Sequence, residues 1–87
     1  MSFFNTMREI RATTGLGVAA VRWLLRLPYP LPFLVSPAPK QGGNPTRLYL
    51  WADVSPRLRQ LHRVTDEQIN ALLLIAQQRH KNKGLQT

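Results

Sequence analysis

Arginine is the residue type in this sequence with the most evident chemistry. Twelve Lys and Arg stand against four Asp and Glu, which gives a formal net charge of +8, and nine of the twelve cations are Arg. A planar guanidinium binds phosphate through two parallel hydrogen bonds and also stacks on flat groups. The composition therefore favours a phosphate-rich partner, and nucleic acid is the class of partner that fits it best.

Residues that could support catalysis or metal binding are few and scattered. The two histidines, His62 and His80, are far apart in the sequence, and the chain has no cysteine. An acid–base or nucleophilic site needs a positioned base next to a nucleophile or a metal, and the four acids offer no obvious pair. We therefore expect no enzymatic activity and no metal or cofactor, with both histidines solvated at helix ends.

Length and hydropathy indicate one small domain. A chain of 87 residues buries only a small core and has no room for a separate catalytic or ligand-sensing domain. Arg22 and Arg26 interrupt the first apolar run, so no run approaches the roughly 20 residues that span a bilayer. The absence of cysteine suits a reducing compartment. We expect a soluble, cytoplasmic protein, although the Arg-rich N-terminal stretch also resembles a transit peptide in composition.

The elements that must position the arginines begin with two predicted helices. Thr6 and Glu9 have the spacing of a capping box, which opens the first helix, and Gly15 can end it in a left-handed conformation. A second helix follows, with apolar residues at spacings of three and four, and stops before Pro28. A short turn that contains glycine brings two helices to a steep crossing. The pattern predicts a helix-turn-helix over residues 6–26.

A β-hairpin is predicted after the second helix. Six of the seven prolines fall in this middle part of the chain and exclude helix there. Two short runs of aliphatic and aromatic residues, 33–35 and 47–51, are expected to pair. The loop between them is longer than most hairpin loops and carries Lys40, with Arg47 at its end. We expect both cations to contact phosphate; the structural alternative for Arg47 is an ion pair with Asp53.

Two further helices are predicted after the hairpin. Ser55 and Pro56 have the properties of an N-cap and a first helical residue, which starts a helix that runs to Leu61. Thr65 and Gln68 form a second capping box, which starts a last helix over residues 66–80. A frayed basic tail is expected over 79–87.

The apolar face of the last helix has two interpretations. In the first, it is a dimer interface that comprises Ile69, Leu72, Leu73, Ile75 and Ala76. In the alternative, this face covers the core of its own domain and leaves Leu74 or Ile75 for a partner. The predicted organisation is a DNA-binding domain over 1–64 and a C-terminal helix with a basic tail over 65–87.

Two blocks of residues resemble a known family. The first block consists of Met7-Arg8-Glu9-Ile10-Arg11, Thr14-Gly15-Leu16-Gly17 and Val21-Arg22-Trp23-Leu24, and the second of Arg47-Leu48-Tyr49 followed by Asp53-Val54. Both resemble the winged helix-turn-helix DNA-binding domain of MerR-type regulators, which phage excisionases and terminase small subunits share in variant form. The resemblance covers about residues 6–61. It implies a mainly α fold with a small β-hairpin as the wing, followed by the C-terminal helix.

The resemblance also implies how the domain would meet DNA. The second helix would enter the major groove, and the hairpin would reach the neighbouring backbone or the minor groove. The expected DNA-binding residues are Gly17, Ala19, Ala20, Arg22, Trp23, Arg26, Lys40 and Arg47. Trp23 has the alternative of a core position.

Three departures from the family pattern qualify this expectation, and the first is that the proline-rich segment after Leu27 is longer than a compact wing requires. Ala19 and Ala20 stand where the family often has polar or basic residues, which reduces readout by hydrogen bonds but still allows contact with thymine methyl groups. Arg11 replaces a small residue that the family usually buries, so the first helix is rotated or Arg11 extends toward a phosphate.

The function that these features predict is double-stranded DNA binding by a small phage or mobile-element regulator. It would be a transcriptional regulator or an excisionase-type recombination directionality factor, self-associated on DNA, in the bacterial nucleoid or in a phage-infected cell. A recombinase, a polymerase or a terminase large subunit would be the larger machine that it places or excludes. The alternatives are a DNA-packaging protein similar to a terminase small subunit, and a protein-interaction module that docks a partner through residues 28–39 and 69–76.

Overall fold

A computed structural model describes residues 2–36 and 46–85, with side chains for 2–36 and 46–81. The elements within these residues are β1 (Phe4–Asn5), α1 (Met7–Thr14), α2 (Val18–Arg26), β2 (Phe33–Ser36), β3 (Thr46–Leu50), α3 (Trp51–Arg59) and α4 (Asp66–Leu85). The strands form one antiparallel sheet in the order β1-β3-β2. The described chain is thus mainly helical with a small sheet, as the sequence predicted.

The local signals at the ends of α1 and α2 act as predicted. The Thr6 hydroxyl accepts a hydrogen bond from the Glu9 N–H at 3.1 Å, and the Thr6 N–H donates to the Glu9 carboxylate at 2.9 Å. Gly15 ends α1 with a φ of 76°, and its N–H donates to the Arg11 carbonyl. Helix α2 ends at Arg26, before Pro28. These caps place the two helices one directly after the other.

The predicted hairpin is also present in the described residues. β2 and β3 pair antiparallel, with Phe33 opposite Tyr49 and Ser36 opposite Thr46. The predicted loop between the strands, including Lys40, lies outside the described residues. No sequence signal predicted β1, which pairs with the other edge of β3 through Phe4 opposite Leu50. A strand of two residues is too short to show an alternating pattern.

The prediction that Ser55 and Pro56 begin a helix is wrong. Helix α3 begins at Trp51, directly after β3, and contains Pro56. Tertiary bonds at Trp51 explain the early start: its backbone N–H donates to the Phe3 carbonyl at 2.8 Å, and its indole N–H donates to the Ile69 carbonyl at 3.0 Å. These bonds offset the intrahelical hydrogen bond that proline cannot donate.

Helix α4 begins at the predicted capping box. The Thr65 N–H donates to the Gln68 side chain at 2.9 Å, and the Gln68 N–H donates to the Thr65 hydroxyl at 3.2 Å. The helix continues to Leu85, so the predicted frayed tail from residue 79 is wrong. Arg79, expected in that tail, instead binds Glu9 and the Phe4 carbonyl. No helix of the described chain combines the length and apolar character needed to cross a membrane.

The helices and β3 enclose one core. Its buried residues are Ile10, Val21, Leu24, Leu25, Leu31, Tyr49, Val54, Leu58, Val64, Ile69 and Leu72. Because Ile69, Leu72 and Ala76 are at most 1% exposed, α4 shares this core, and these three residues cannot form the predicted dimer interface. Leu73 and Ile75 are half-buried, and Leu74 is 65% exposed.

Candidate nucleic-acid interface

Helix α2 presents one side to the core and the other to solvent. Val21, Leu24 and Leu25 are buried. An α-helix turns about 100° per residue, so residues three and four positions apart share one side. The residues between the buried ones therefore form an exposed arc on the side of α2 opposite the core. A shallow hollow of about 400 Å³ lies on this arc, lined by Ala19, Arg22, Trp23, Arg26 and Leu27. We call it the α2 hollow.

Trp23 is the largest side chain of the α2 hollow. It is 66% exposed, so the alternative that it belongs to the core is wrong. An exposed Trp can pack its indole on a sugar, a methyl group or a base, and its single N–H can donate one hydrogen bond. The hollow therefore combines an apolar wall with the two cations Arg22 and Arg26.

The N-terminus of α2 is open to an anionic group. Gly17 is the N-cap in an extended conformation and provides no side-chain cap, and the first turn carries no acid. The first N–H groups of a helix have no partner within the helix, and the helix dipole is positive at this end. Gly17, Ala19 and Ala20 are all exposed here. Small residues at this end allow close approach of a ligand.

An open groove of about 1000 Å³ lies between α1, α2 and the hairpin. Four exposed arginines line it, namely Arg8 of α1, Arg22 and Arg26 of α2, and Arg47 of β3. We call this surface the arginine groove. The sequence predicted Arg22, Arg26 and Arg47 as DNA-binding residues, and the fold brings these three together. Arg22 and Arg26 line both the groove and the α2 hollow.

The one acid in the described lining of the arginine groove is neutralised within the protein. Arg79 Nη1 donates to Glu9 Oε1 at 2.9 Å, and Arg79 Nη2 donates to Glu9 Oε2. Burial raises the pKa of Glu9, but hydrogen bonds from Arg79 and the Thr6 N–H, with the charge of Arg79, outweigh it and hold the pKa below its ordinary value. Glu9 is thus ionised at neutral pH, and its charge is balanced by Arg79, which also lines the groove, and not by the four exposed arginines.

Arg47 is oriented by an aromatic ring. Its guanidinium carbon lies 4.5 Å from the centre of the Phe33 ring, and Phe33 packs on Tyr49 with ring centres 5.7 Å apart. This cation–π contact holds the guanidinium across the hairpin. Arg47 and Asp53 form no ion pair in the described structure, so the predicted pairing of these two residues is wrong.

Arg57 has a structural position that the sequence did not reveal. Its two terminal nitrogens donate to the carbonyls of Leu24, at 2.7 Å, and Tyr29, at 2.8 Å. Its guanidinium carbon also lies 4.7 Å from the centre of the Tyr29 ring. Arg57 therefore ties α3 to the end of α2 and to the segment that leads into the hairpin. This contact fixes α2 relative to the hairpin and so shapes the arginine groove.

Of the four exposed arginines of the groove, sequence reasoning missed one, Arg8. The capping box shows only that Arg8 and Glu9 project from different sides of α1, and the place of Arg8 in the groove depends on how α1 packs beside the hairpin. Arg11 is exposed on the same helix but does not line the groove in the described structure. His62 and His80 are both exposed, and the His80 ring packs edge-on against Phe3 with ring centres 5.7 Å apart.

Comparison with known proteins finds no relative of this chain. No protein-family model, curated protein or solved structure matches the chain. Within the residues that the structure describes, no three acids or histidines lie together as metal ligands would. The chemistry that the described surface offers is the binding of anions by guanidinium groups beside an apolar helix face.

Proposed function

We propose that this chain is a sequence-biased double-stranded DNA-binding protein of the winged helix-turn-helix type. In this proposal it acts as a small transcriptional regulator or as an excisionase-type recombination directionality factor. The observation that carries the proposal is the convergence of four exposed arginines, from three elements, beside the exposed face of α2. A surface of this kind neutralises phosphates and releases their counterions, which drives binding to duplex DNA.

Helix α2 is the element that would enter the major groove. The major groove is about 12 Å wide and admits an α-helix. With α2 in this position, the arginine groove would hold the adjacent phosphate backbone. Arg22 and Arg26 line both surfaces, so each can bind a phosphate on one side or a base edge on the other. Arg8 and Arg47 would act on phosphate alone.

The order of elements supports a winged helix-turn-helix arrangement. Helices α1 and α2 are joined at Gly15, and the β2–β3 hairpin follows. MerR-type domains, which the sequence resembles, carry their wing at the corresponding position. In the proposal the hairpin contacts the backbone beside α2 through Arg47.

Self-association on DNA is part of the proposal. One small domain makes few base contacts, and natural sites are usually read twice by a dimer. Leu74, at 65% exposed, and the half-buried Leu73 and Ile75 are the residues of α4 that remain for a second copy. The proposed setting is the bacterial nucleoid or a phage-infected cell, where the bound protein places or excludes a recombinase, a polymerase or a terminase large subunit.

A second candidate function is protein binding. β2 is an edge strand, and its Phe33, Leu34 and Val35 are 42%, 56% and 57% exposed. An exposed apolar edge strand can pair with an extended segment of another protein. Binding to DNA should fall steeply with salt, whereas an apolar protein contact should change little with salt.

Selection of bound duplexes from a random DNA pool, followed by sequencing, tests the proposed function. The selection would be run at about 0.15 M salt, which is the physiological ionic strength. We expect enrichment of a motif, repeated at a spacing of about 10 base pairs if two copies bind side by side. Retention without enrichment would indicate a non-specific DNA binder. Failure to retain any duplex would contradict DNA binding and favour the protein-binding candidate.

A further inference from the structure

We infer that the α2 hollow binds the 5-methyl group of thymine in the major groove. This inference rests on the proposed function and names the feature of DNA that the exposed face of α2 would recognise. Its observations are the residues that line the α2 hollow and the exposure of Trp23.

The centre of the exposed face of α2 is small and apolar. Ala19 is the smallest side chain in the lining of the hollow, and Trp23 lies one helical turn further along the same face. The Ala19 methyl group and the Trp23 ring form apolar surface, while Arg22 and Arg26 flank it. The hollow therefore offers a small apolar contact next to cations, on a helix face that is otherwise open to a ligand.

The exposed residues of α2 offer little else for distinguishing bases. They are Val18, Ala19, Ala20, Arg22, Trp23 and Arg26. None is Asn or Gln, which bind adenine through two hydrogen bonds, and none is an acid, which would accept from cytosine. Arginine can read guanine, and the only apolar group on the major-groove edge of any base pair is the thymine methyl. An apolar hollow in that groove therefore matches thymine.

The exposure of Trp23 points to the same ligand. Its ring is 66% exposed in the free chain, which leaves a large apolar area in water. Contact with a methyl group would remove part of this area from water, and burial of one such group is worth about a fourfold gain in affinity. Trp23 therefore contributes an apolar contact with the methyl group, in addition to the electrostatic contribution of Arg22 and Arg26.

Replacement of thymine by uracil tests the inference directly. Two duplexes of the same selected sequence, or two pools of the same random sequences, would carry either dT or dU. Uracil lacks the methyl group but keeps the O4 acceptor. We expect about fourfold weaker binding for each contacted methyl that is removed. Equal affinity for the two duplexes would overturn the inference and leave the proposed function standing. Failure to bind either duplex would instead contradict the proposed function.

Two variants assign the effect to the hollow. Trp23→Ala removes the apolar wall and Ala19→Leu fills the space, so both should reduce the difference in affinity between dT and dU duplexes. Neither changes a charge, so the salt dependence should stay as in the parent protein. Both residues are exposed, so the fold should be retained, which circular dichroism would check.

Gln60→Ala is the control, because it also shortens an exposed, uncharged side chain but lies at the end of α3, outside the lining of the α2 hollow. It should keep the full dT to dU difference. Any change in duplex shape caused by uracil acts on all variants equally. A full dT to dU difference in Trp23→Ala would therefore overturn the assignment to the α2 hollow.

Discussion

Two regions of the molecule use arginine side chains in opposite ways. One is the contact between α1 and α4, and the other is the arginine groove. At the first, Arg79 of α4 donates to the Glu9 carboxylate of α1 and to the Phe4 carbonyl of β1, and Asn5 of β1 donates to the Leu72 carbonyl of α4 at 2.9 Å. In the groove, Arg22 and Arg26 are exposed and form no hydrogen bond through their side chains with any described residue. The first region holds the fold together, and the second presents charge to solvent.

The surroundings of each guanidinium explain the difference. Arg57 and Arg79 lie where helices and turns leave carbonyl or carboxylate oxygens without a helical partner, and both side chains are held by such oxygens. On the exposed face of α2, the backbone carbonyls of the first turns bond within the helix, and no described oxygen accepts a hydrogen bond from the side chain of Arg22 or Arg26. Arginines of this second kind keep their donors available, which is the basis of the proposal that they bind a phosphate-bearing ligand.

The largest expected effect comes from removing all four groove arginines. The variant that combines Arg8→Ala, Arg22→Ala, Arg26→Ala and Arg47→Ala should lower duplex affinity on the order of a thousandfold at about 0.15 M salt. The slope of log affinity against log salt should also fall by about 3 to 4, because each neutralised phosphate contributes about 0.9. Fluorescence anisotropy with a labelled duplex over a salt series measures both quantities.

A matched control variant separates the effect of removing arginines from the groove from the effect of lowering the net charge. The variant that combines Arg11→Ala, Arg59→Ala, Arg63→Ala and Lys81→Ala removes the same number of positive charges from exposed residues that do not line the described groove. We expect it to keep most of the affinity and most of the salt slope. Similar losses in the two variants would show that net charge, and not the arginine groove, determines binding.

The next largest effect concerns the contact between α1 and α4. Arg79→Ala should lower the free energy of unfolding by about 2 kcal/mol, because it removes charge-assisted hydrogen bonds and leaves the Glu9 carboxylate without its cation. The side chains of Arg79 and Glu9 are 33% and 20% exposed, so solvent weakens the pair and the loss should stay below that of a fully buried one. Urea denaturation followed by circular dichroism measures the change.

The exposed arginine Arg63 provides the comparison for this stability effect. Arg63→Ala should change the free energy of unfolding by less than about 0.5 kcal/mol, as is usual for a surface substitution. Arg79→Lys keeps the positive charge but cannot donate two parallel hydrogen bonds to the carboxylate. Its decrease in the free energy of unfolding should therefore lie between those of the two alanine variants. If Arg79→Ala were as stable as Arg63→Ala, the proposed division between structural and ligand-binding arginines would be wrong.

An effect of similar size is expected at Arg22, which can bind a phosphate or a base edge. Arg22→Ala should weaken binding to the selected sequence by about 1 to 3 kcal/mol if Arg22 contacts a base edge. Binding to an unrelated duplex should then change less. Equal losses on both duplexes would show that Arg22 contacts phosphate alone, which would restrict base readout to the rest of the α2 hollow. Parallel titrations of the two duplexes decide between these outcomes.

The sequence predicted those features of the fold that depend on near neighbours. The capping boxes at Thr6 and Thr65 and the end of α1 at Gly15 each involve residues three or four positions apart, so their geometry is encoded locally. The exposure of Arg22 and Arg26 likewise follows from the helical period alone. These local rules were enough to identify α2 and its outer face.

Features that depend on distant residues could not be predicted in this way. The start of α3 follows from bonds between Trp51 and the distant residues Phe3 and Ile69, and Arg79 binds Glu9 across a separation of 70 residues. The place of Arg8 in the groove requires the arrangement of α1 beside the hairpin. No periodicity or capping motif contains that arrangement, so both Arg8 and the structural position of Arg79 became evident only from the folded chain.

The smallest expected effect is a pH dependence that originates at the α1–α4 contact. The pKa of Glu9 is lower in the folded protein than its ordinary value, which applies when the chain is unfolded. The folded state therefore favours the ionised carboxylate, and this contribution to stability is present above the ordinary carboxyl pKa and is lost as pH falls through the lowered pKa. Denaturation from neutral pH into the acid range should show this loss, and Glu9→Gln should remove it. Glu67→Gln, which removes an exposed acid of α4, should still lose stability in acid as the parent protein does. A Glu9→Gln profile that keeps the full acid loss would place its origin outside the Glu9–Arg79 pair, and the contact between α1 and α4 would then owe its stability to packing instead of to charge.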